Sequence, residues 1–284
     1  MVSINTNPGA LIALQNLTSI NNQLAETQRR VSTGLEVSSA ADNPALFALA
    51  QNQRAELGSI EAVQQGLRIG TSAVDVGLAA GESISEILVE LRAVASQAAD
   101  PSLTAADRAV LEDQFVSLRE QIERQVASAE IGGRNLLAAG APDLSVVAST
   151  DGSETITVAA QDFSATGGIL TFSFSDNPFE ADATAGIAAG ADAARAQIAN
   201  IETSIANSSR ALGSLGAGSQ SLDLQGRLLT QISDTLEVSI GNLVDADLAR
   251  ESSRLQALQV QQQLAIQTLS IANAAPNAIL ALFA

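Results

Sequence analysis

Apolar residues recur every seven positions along most of this chain. The longest unbroken row consists of five leucines, namely Leu215, Leu222, Leu229, Leu236 and Leu243. Such a row is typical of the seam of a coiled coil or helical bundle. A helix over about 185 to 240 would be roughly 80 Å long at 1.5 Å per residue. The pattern therefore predicts a mainly α fold, an elongated coiled-coil or helical-bundle rod.

Three local signals mark where helices begin. Asn7 and Asn43 each precede a proline, which places an N-cap before a residue that needs no N–H at the first helical position. Thr104 followed by Asp107 resembles a capping box. We therefore expect helices to begin at Pro8, at Pro44 and just after Thr104.

The middle of the chain has a different composition. Residues 141 to 184 are richer in Gly, Thr, Asp and Phe than their flanks, and they hold three strand-like runs, at 144–147, 155–158 and 169–174. Asp151-Gly152 lies between the first two and indicates a hairpin turn. The sequence thus predicts helical blocks over about 8 to 137 and 185 to 283, around a small β-hairpin region.

Five glycines lie inside the heptad pattern of the second helix, at positions 58, 66, 70, 77 and 81. Each costs up to about 1 kcal/mol relative to alanine in a helix. Either the helix is broken there, or small residues let neighbouring helices approach closely. Because Gly70, Gly77 and Gly81 fall on the seam, we favour close packing.

Composition excludes most chemistry. The 284 residues include no His and no Cys, and every one of the 14 basic residues is Arg. General-base, Schiff-base and zinc chemistry lack their usual residues, so we expect no catalytic, metal-binding or cofactor-binding site. The net charge of −17 disfavours nucleic acid and anionic lipid as partners. No apolar run is long enough for membrane insertion, and the N-terminus lacks the basic region of a cleavable signal peptide.

Both ends of the chain carry recognisable motifs. Residues 30–35 read Arg-Val-Ser-Thr-Gly-Leu, residues 38–45 read Ser-Ser-Ala-Ala-Asp-Asn-Pro-Ala, and the chain opens with Ile-Asn-Thr-Asn at 4–7. Residues 270–283 form a tail that contains Pro276. In these stretches, in this order and around a variable centre, the chain resembles the bacterial flagellins over roughly 1–140 and 185–284.

The resemblance implies a structural subunit of the extracellular flagellar filament, exported unfolded by the flagellar type III system for swimming motility. It implies a homopolymer with other flagellin copies, and further partners in the export apparatus, an export chaperone, the cap and the hook–filament junction proteins. It also implies a layered organisation. An inner terminal-helix coiled coil comprises 1–34 and 246–284, a spoke linker 35–44, a helical rod 45–140 and 185–245, and a small central β region 141–184.

The terminal segments carry thin apolar stripes beside many Gln, Asn, Ser and Thr residues. Neither segment can bury its stripe alone, so we expect 1–32 and 248–284 to be mobile in the monomer and to order on assembly. The residues expected to serve subunit assembly are Leu17, Ile20, Leu24, Val31, Leu248, Leu255, Leu258, Leu269 and Ile279.

The resemblance also bears on immune recognition. In flagellins that the vertebrate flagellin-sensing Toll-like receptor detects, the rod helix matching residues 88–97 carries a Gln-Arg pair and a Leu, and the following helix carries a Glu. This chain has Val89-Glu90 for the pair, Val94 for the Leu and Gln114 for the Glu. The Arg-to-Glu difference reverses a charge, so we expect weak or no activation.

Three other classes of protein share some of these features. The hook–filament junction protein shares the export route and the paired terminal helices, but its copies stop after one ring. Chemoreceptor signalling hairpins have similar acidic heptads, although such receptors usually carry a membrane span. An enzymatic flagellin with a metalloprotease insert would need a His-Glu-x-x-His helix, and the chain has no His. Asp151-Gly152-Ser153-Glu154 lacks the alternating carboxylates of a calcium loop and indicates a plain turn.

Overall fold

A computed structural model describes residues 7–179 and 186–280. These residues form five helices and two small antiparallel hairpins, which confirms a mainly α fold with a β-hairpin in the middle. In chain order the elements are α1 (Pro8–Thr33), α2 (Pro44–Ala98), α3 (Ala105–Ser128), β1 (Glu130–Ile131), β2 (Arg134–Asn135), β3 (Leu144–Val147), β4 (Thr155–Val158), α4 (Gly186–Val244) and α5 (Leu248–Leu280).

The expected helix starts are confirmed by their caps. The side chain of Asn7 accepts a hydrogen bond from the Ala10 N–H at the start of α1. The Asn43 side chain accepts from the backbone N–H groups of residues 45 and 46 at the start of α2. Thr104 and Asp107 form a full capping box before α3. Each cap satisfies N–H groups that the first helical turn leaves free.

The chain divides into two compact units, and the first comprises Met1–Leu57 and Asp234–Ala284. In this unit α1 and α5 run antiparallel, because the Asn7 side chain donates to the Ala272 carbonyl, while Arg30 near the other end of α1 contacts Glu251 near the start of α5. A separate small core forms where the first turns of α2 meet the last turns of α4. Its buried members are Val37, Ala50, Ile240 and Val244.

The second unit comprises Gly58–Ser233. Its core is built on α2, α3 and α4, and Phe115 of α3 meets Phe179 edge-on at 5.0 Å between ring centroids. The helix α2 continues unbroken through its glycines, and close approach is confirmed at Gly81. A Cβ on Gly81 would lie 2.5 Å from the Leu212 Cδ2 atom of α4. Other buried residues of this core are Ile84, Leu88, Leu91, Ile122, Ile201 and Leu215.

The hairpin β3–β4 lies across α2 and α4 within the second unit. It pairs Leu144 with Val158 and Val147 with Thr155, so the first two predicted strands are confirmed. Val146 packs over Gly70 of α2 and Val158 over Gly218 of α4, where an added Cβ would lie 2.6 Å from a valine methyl group in each case. Glycines thus let one hairpin pack closely on both helices.

Two predictions for the middle of the chain are wrong. Residues 169–174 do not form a strand, because side chains of α4 replace a strand partner. The Ser204 hydroxyl accepts from the Thr171 N–H at 2.8 Å, and the Gln197 side chain accepts from the Ser173 N–H at 2.9 Å. The first helical block ends at Ser128 rather than near 137, because a tight hairpin β1–β2 turns through two glycines, residues 132 and 133, at φ 58° and 78°.

Candidate subunit interface

The paired helices α1 and α5 have no ionisable side chains over most of their length. No Asp, Glu, Lys or Arg occurs in residues 1–25 or 255–284, in a chain of net charge −17. The polar side chains there are amides and hydroxyls, which lose less solvation free energy than charges when they are buried. This part of the helix pair is therefore suited to burial against another protein surface.

The outer faces of this helix pair carry large apolar side chains among the amides and hydroxyls. Among the described residues of α1, only Ala13 and Thr27 are buried, so pairing with α5 covers a narrow stripe. Ile12 is 60% exposed and Ile271 is 66% exposed. Single exposed apolar residues are ordinary, whereas several of them on a pair of helices without charges indicate an interaction surface. They are distributed around both helices, and we call them together the uncharged face, namely Leu11, Ile12, Leu14, Val260, Leu264, Ile266 and Ile271.

The residues expected to serve assembly lie mostly inside the helix pair. Leu258 is buried, and Leu248 is 49% exposed. Ile279 lies in α5, but its side chain falls outside the described part. The heptad rows therefore lie along the seam between α1 and α5, and their role in subunit assembly stays a prediction. The uncharged face follows a different sequence signal, the absence of charge over 1–25 and 255–284. Half-buried members of the predicted set are Leu17, Ile20, Leu24, Val31, Leu255 and Leu269.

Charged residues gather at one end of the helix pair, around Arg30. Its guanidinium lies 2.7 Å from the Glu26 carboxylate and 3.5 Å from that of Glu251. The Glu251 side chain is 9% exposed, so this contact between α1 and α5 is largely shielded from solvent. The Arg30–Glu251 pair joins the two helices at this end, while the uncharged face lies along the rest of their length.

The segment between α1 and α2 is tied down by Asp42. Its carboxylate accepts hydrogen bonds from the backbone N–H and hydroxyl groups of Ser38 and Ser39, and it pairs with Arg29. Desolvation raises the pKa of Asp42, but the hydrogen bonds from Arg29, Ser38 and Ser39 together outweigh it and hold that pKa well below its usual range. The ionised carboxylate therefore organises this turn.

Backbone hydrogen bonds join the same segment to the connection between α4 and α5. The Glu36 N–H donates to the Val244 carbonyl at 2.7 Å, and the Ala246 N–H donates to the Gly34 carbonyl at 2.9 Å. Gly34 caps α1 in the left-handed region at φ 73°, where other residues are strained. The connections from α1 to α2 and from α4 to α5 thus lie side by side next to the α1–α5 pair.

The described residues contain no group of three or more His, Cys, Asp or Glu side chains placed to hold a metal ion. The Asp151 carboxylate is engaged within its own turn, where it accepts from Ser149 and Ser153. These side-chain and backbone hydrogen bonds lower the pKa of Asp151 to about 2. Over the same residues, no helix combines the length and the hydropathy needed to cross a bilayer.

The four positions compared with the receptor patch do not share one surface. Val89 and Glu90 of α2 and Gln114 of α3 are exposed, and Val89 is 59% exposed. Val94 is buried in the core of the second unit. Three of the four side chains are therefore accessible in the single chain.

Both terminal regions of the chain match known protein families. The model of the bacterial flagellin N-terminal helical region matches residues 4–141, and that of the bacterial flagellin C-terminal helical region matches residues 198–283. The flagellin FljM of Caulobacter vibrioides is 42% identical over 282 residues, which cover 99% of this chain and 98% of that protein. The chain belongs to the bacterial flagellins. A flagellin of Brucella melitensis is 36% identical over 289 residues, covering 100% and 99% of the two chains.

Membership of this family establishes the general role. A flagellin is a structural subunit of the extracellular flagellar filament and polymerises with other flagellin copies, so the prediction of a non-enzymatic motility protein is confirmed. A solved structure from Vibrio parahaemolyticus, described as flagellar hook-associated, matches with a TM-score of 0.57 at 19% identity. That match covers 72% of this chain and 100% of the other, and it shows a shared fold.

Proposed function

We propose that this flagellin propagates a filament by packing the uncharged face of its α1–α5 pair against the same helices of neighbouring copies. The observation that carries the proposal is the charge-free length of both helices together with their exposed apolar side chains. The heptad residues of the terminal helices are expected to serve subunit assembly as well. The exposed face supplies the additional surface that contact between copies requires.

Electrostatics supports this choice of surface. Copies that each carry a net charge of −17 repel one another, and the repulsion is strongest where carboxylates would face carboxylates. Contact through residues 1–25 and 255–284 brings no side-chain charges together and avoids the cost of desolvating them. Salt screens the remaining repulsion, with a Debye length of about 8 Å at physiological ionic strength. We therefore expect assembly to be favoured by added salt.

The energy of this contact is moderate. Seven large apolar side chains make up the described part of the uncharged face, and each is exposed by half or more. Burying the exposed half of one such side chain contributes about 1 kcal/mol, hence roughly 7 kcal/mol per copy. Association costs about 4 to 15 kcal/mol in lost translational and rotational freedom. The terminal helices alone therefore give marginal assembly, and further contacts between copies are needed.

The proposal includes the layered organisation that the family resemblance implies. Residues 1–34 and 246–284 form the inner layer, 35–44 the spoke, 45–140 with 185–245 the rod, and 141–184 the outer region. The chain leaves the cell unfolded through the flagellar type III system, with an export chaperone, the cap and the hook–filament junction proteins as partners. The match of both ends to the flagellin models supports this route and these partners.

Receptor recognition forms a separate proposal. We propose weak or absent activation of the flagellin-sensing Toll-like receptor, because exposed Glu90 stands where sensed flagellins carry Arg, and charge complementarity decides partner choice at such contacts. A reporter-cell titration tests it. Potency far below that of an enteric flagellin is expected, and equal potency would refute the proposal.

Seeded growth tests the main proposal. Short sheared filaments are added to purified monomer, the salt concentration is raised, and the products are examined by electron microscopy. Long, uniform filaments are the expected result. Seeds that stay short beside persistent monomer would contradict propagation, and they would favour a junction protein whose copies stop after one ring.

A further inference from the structure

A second apolar surface lies on α4 in the second unit. Leu224, Leu228 and Ile232 follow one another at four-residue intervals and are 66%, 50% and 38% exposed. We call these three residues the α4 stripe. At about 100° per residue Leu224 lies about 200° around the helix from Leu222. Because Leu222 is buried at the seam, Leu224 faces away from the core, and the stripe turns back towards the seam through Leu228 to Ile232.

An apolar groove lies beside the hairpin on α2 in the same unit. Its volume is about 410 Å³, and it is lined mainly by small and apolar residues of α2 and β3. Ile69 and Val147 remain 57% and 43% exposed along it. We call it the α2–hairpin groove, and its lining includes Val63, Gly66, Ile69, Arg134, Leu144 and Val147.

The stripe and the groove lie at the same level of the second unit. The Gln64 side chain of α2 donates to the Thr230 hydroxyl of α4 at 3.5 Å, so the turns that form the groove stand beside the turns that carry the stripe. The groove lies on the α2 side of this helix pair, whereas the stripe is on the outer face of α4. Two copies in the same orientation, side by side, can therefore bring the stripe of one to the groove of the other.

Charges support the same pairing. Arg134 lines the groove, Asp223 directly precedes the first residue of the stripe, and exposed Arg227 lies one turn further along α4. Within the described residues, the Arg134 guanidinium and the Asp223 carboxylate are both exposed and neither takes part in an ion pair. A neighbouring copy that places its stripe in the groove brings opposite charges to the rim of the contact.

We infer that the α4 stripe of one copy docks in the α2–hairpin groove of the next, with Asp223 of the first copy facing Arg134 of the second. Each copy uses two different surfaces in this contact, so the contact is heterologous and propagates instead of closing a dimer. The inference rests on the proposed function, since it assigns a further contact to copies that already meet through α1 and α5. It supplies binding energy that the terminal helices lack.

Covalent trapping between copies tests the docking. The chain has no cysteine, so any disulfide must form between the introduced cysteines. Ile69→Cys monomer and Leu224→Cys monomer are mixed in equal amounts, assembled on seeds with wild-type chain, oxidised and examined on non-reducing gels. A covalent dimer is expected in the mixture and not with either variant alone. The matched control replaces the groove cysteine by Val110→Cys, on an exposed position of α3 away from the groove, and should give no dimer with Leu224→Cys.

Charge exchange provides a second readout at exposed positions. Asp223→Arg and Arg134→Asp should each slow filament elongation several-fold, and the double variant should recover most of the rate. Normal filaments without the mixed dimer, or a double variant as slow as the single ones, would overturn the docking alone. Wild-type monomer that fails to extend seeds would overturn the proposed function, and the docking with it.

Discussion

The guanidinium of Arg30 and the carboxylate of Glu251 lie 3.5 Å apart, although 221 positions separate them in the chain. This pair joins α1 to α5 at the end where the charges gather. Glu26 and Glu36 also contact this guanidinium, so loss of Glu251 leaves Arg30 two ionic partners, both with exposed carboxylates. The paired end therefore anchors two helices whose remaining length is joined by a thin apolar seam and by hydrogen bonds from the Asn7 side chain to the Ala272 carbonyl and from the Gln262 side chain to the side chain of Asn21.

Replacement of Glu251 by Ala should lower the free energy of unfolding by about 1.5 kcal/mol, as for a hydrogen bond between charged groups that is mostly shielded. Urea unfolding of the monomer, followed by circular dichroism, measures the change. Glu56→Ala is the matched control, because Glu56 is exposed and forms no ion pair among the described residues. Equal midpoints for the two variants would show that the pair contributes nothing.

Replacement of Gly218 by Ala should destabilise the second unit by about 1 to 3 kcal/mol through overpacking. The new Cβ would lie 2.6 and 2.7 Å from the two methyl groups of Val158, and a β-branched side chain on a strand has little freedom to move. Gly216→Ala on the same helix meets no atom within 4 Å and should stabilise by up to about 1 kcal/mol. Thermal unfolding of both variants measures the effect. Changes of the same sign in their unfolding temperatures would contradict the close approach of the hairpin to α4.

The Asp42 turn should make stability depend on pH in the acid range. Because hydrogen bonds lower the pKa of Asp42 in the folded state, its contribution is complete above the ordinary value of 3.8 and is lost as pH falls below it. Asp42→Asn should therefore be less stable than wild type at pH 7, and the difference should shrink below pH 3.8. Denaturation midpoints from neutral to acid pH test this, and a constant difference would exclude the ionised carboxylate as the cause.

Amide exchange should differ between monomer and filament at the two ends of the chain. In the monomer, the parts of α1 and α5 without charges should exchange quickly, because only Ala13 and Thr27 of α1 are buried. In the filament the same amides should be protected. Mass spectrometry of peptides from residues 8–25 and 255–274 measures both states, with peptides of α4 as an internal reference. Strong protection of the terminal peptides in the monomer would contradict ordering on assembly.

Local signals in the sequence predicted much of this fold because they act over a few residues. The caps at Asn7, Asn43 and Thr104 are satisfied by neighbouring N–H groups, and the hairpin β3–β4 follows from short alternating strands around an Asp-Gly turn. Glycines on the seam of α2 also predicted close packing, which depends only on the missing side chain. The residues that determine each of these features lie within the feature itself.

The errors arose where distant residues decide the structure. Residues 169–174 alternate like a strand, but the side chains of Ser204 and Gln197 in α4 accept hydrogen bonds from their backbone N–H groups. No sequence pattern near 169–174 indicates these contacts. The β1–β2 hairpin was missed because its strands have two residues each, although Gly132-Gly133 was a turn signal. The heptad pattern does not indicate the α4 stripe, because Leu224 and Leu228 fall outside the leucine row of the seam.

Replacement of Leu264 by Asp tests the central claim most directly. This side chain is 57% exposed on the uncharged face, so a charge there should leave the monomer folded while opposing contact between copies. Val110→Asp is the control, since Val110 is 68% exposed on α3 and outside both proposed surfaces. In seeded growth followed by electron microscopy, Leu264→Asp should give no extension, with normal filaments from Val110→Asp. Filaments of normal length from Leu264→Asp would contradict assembly through this face.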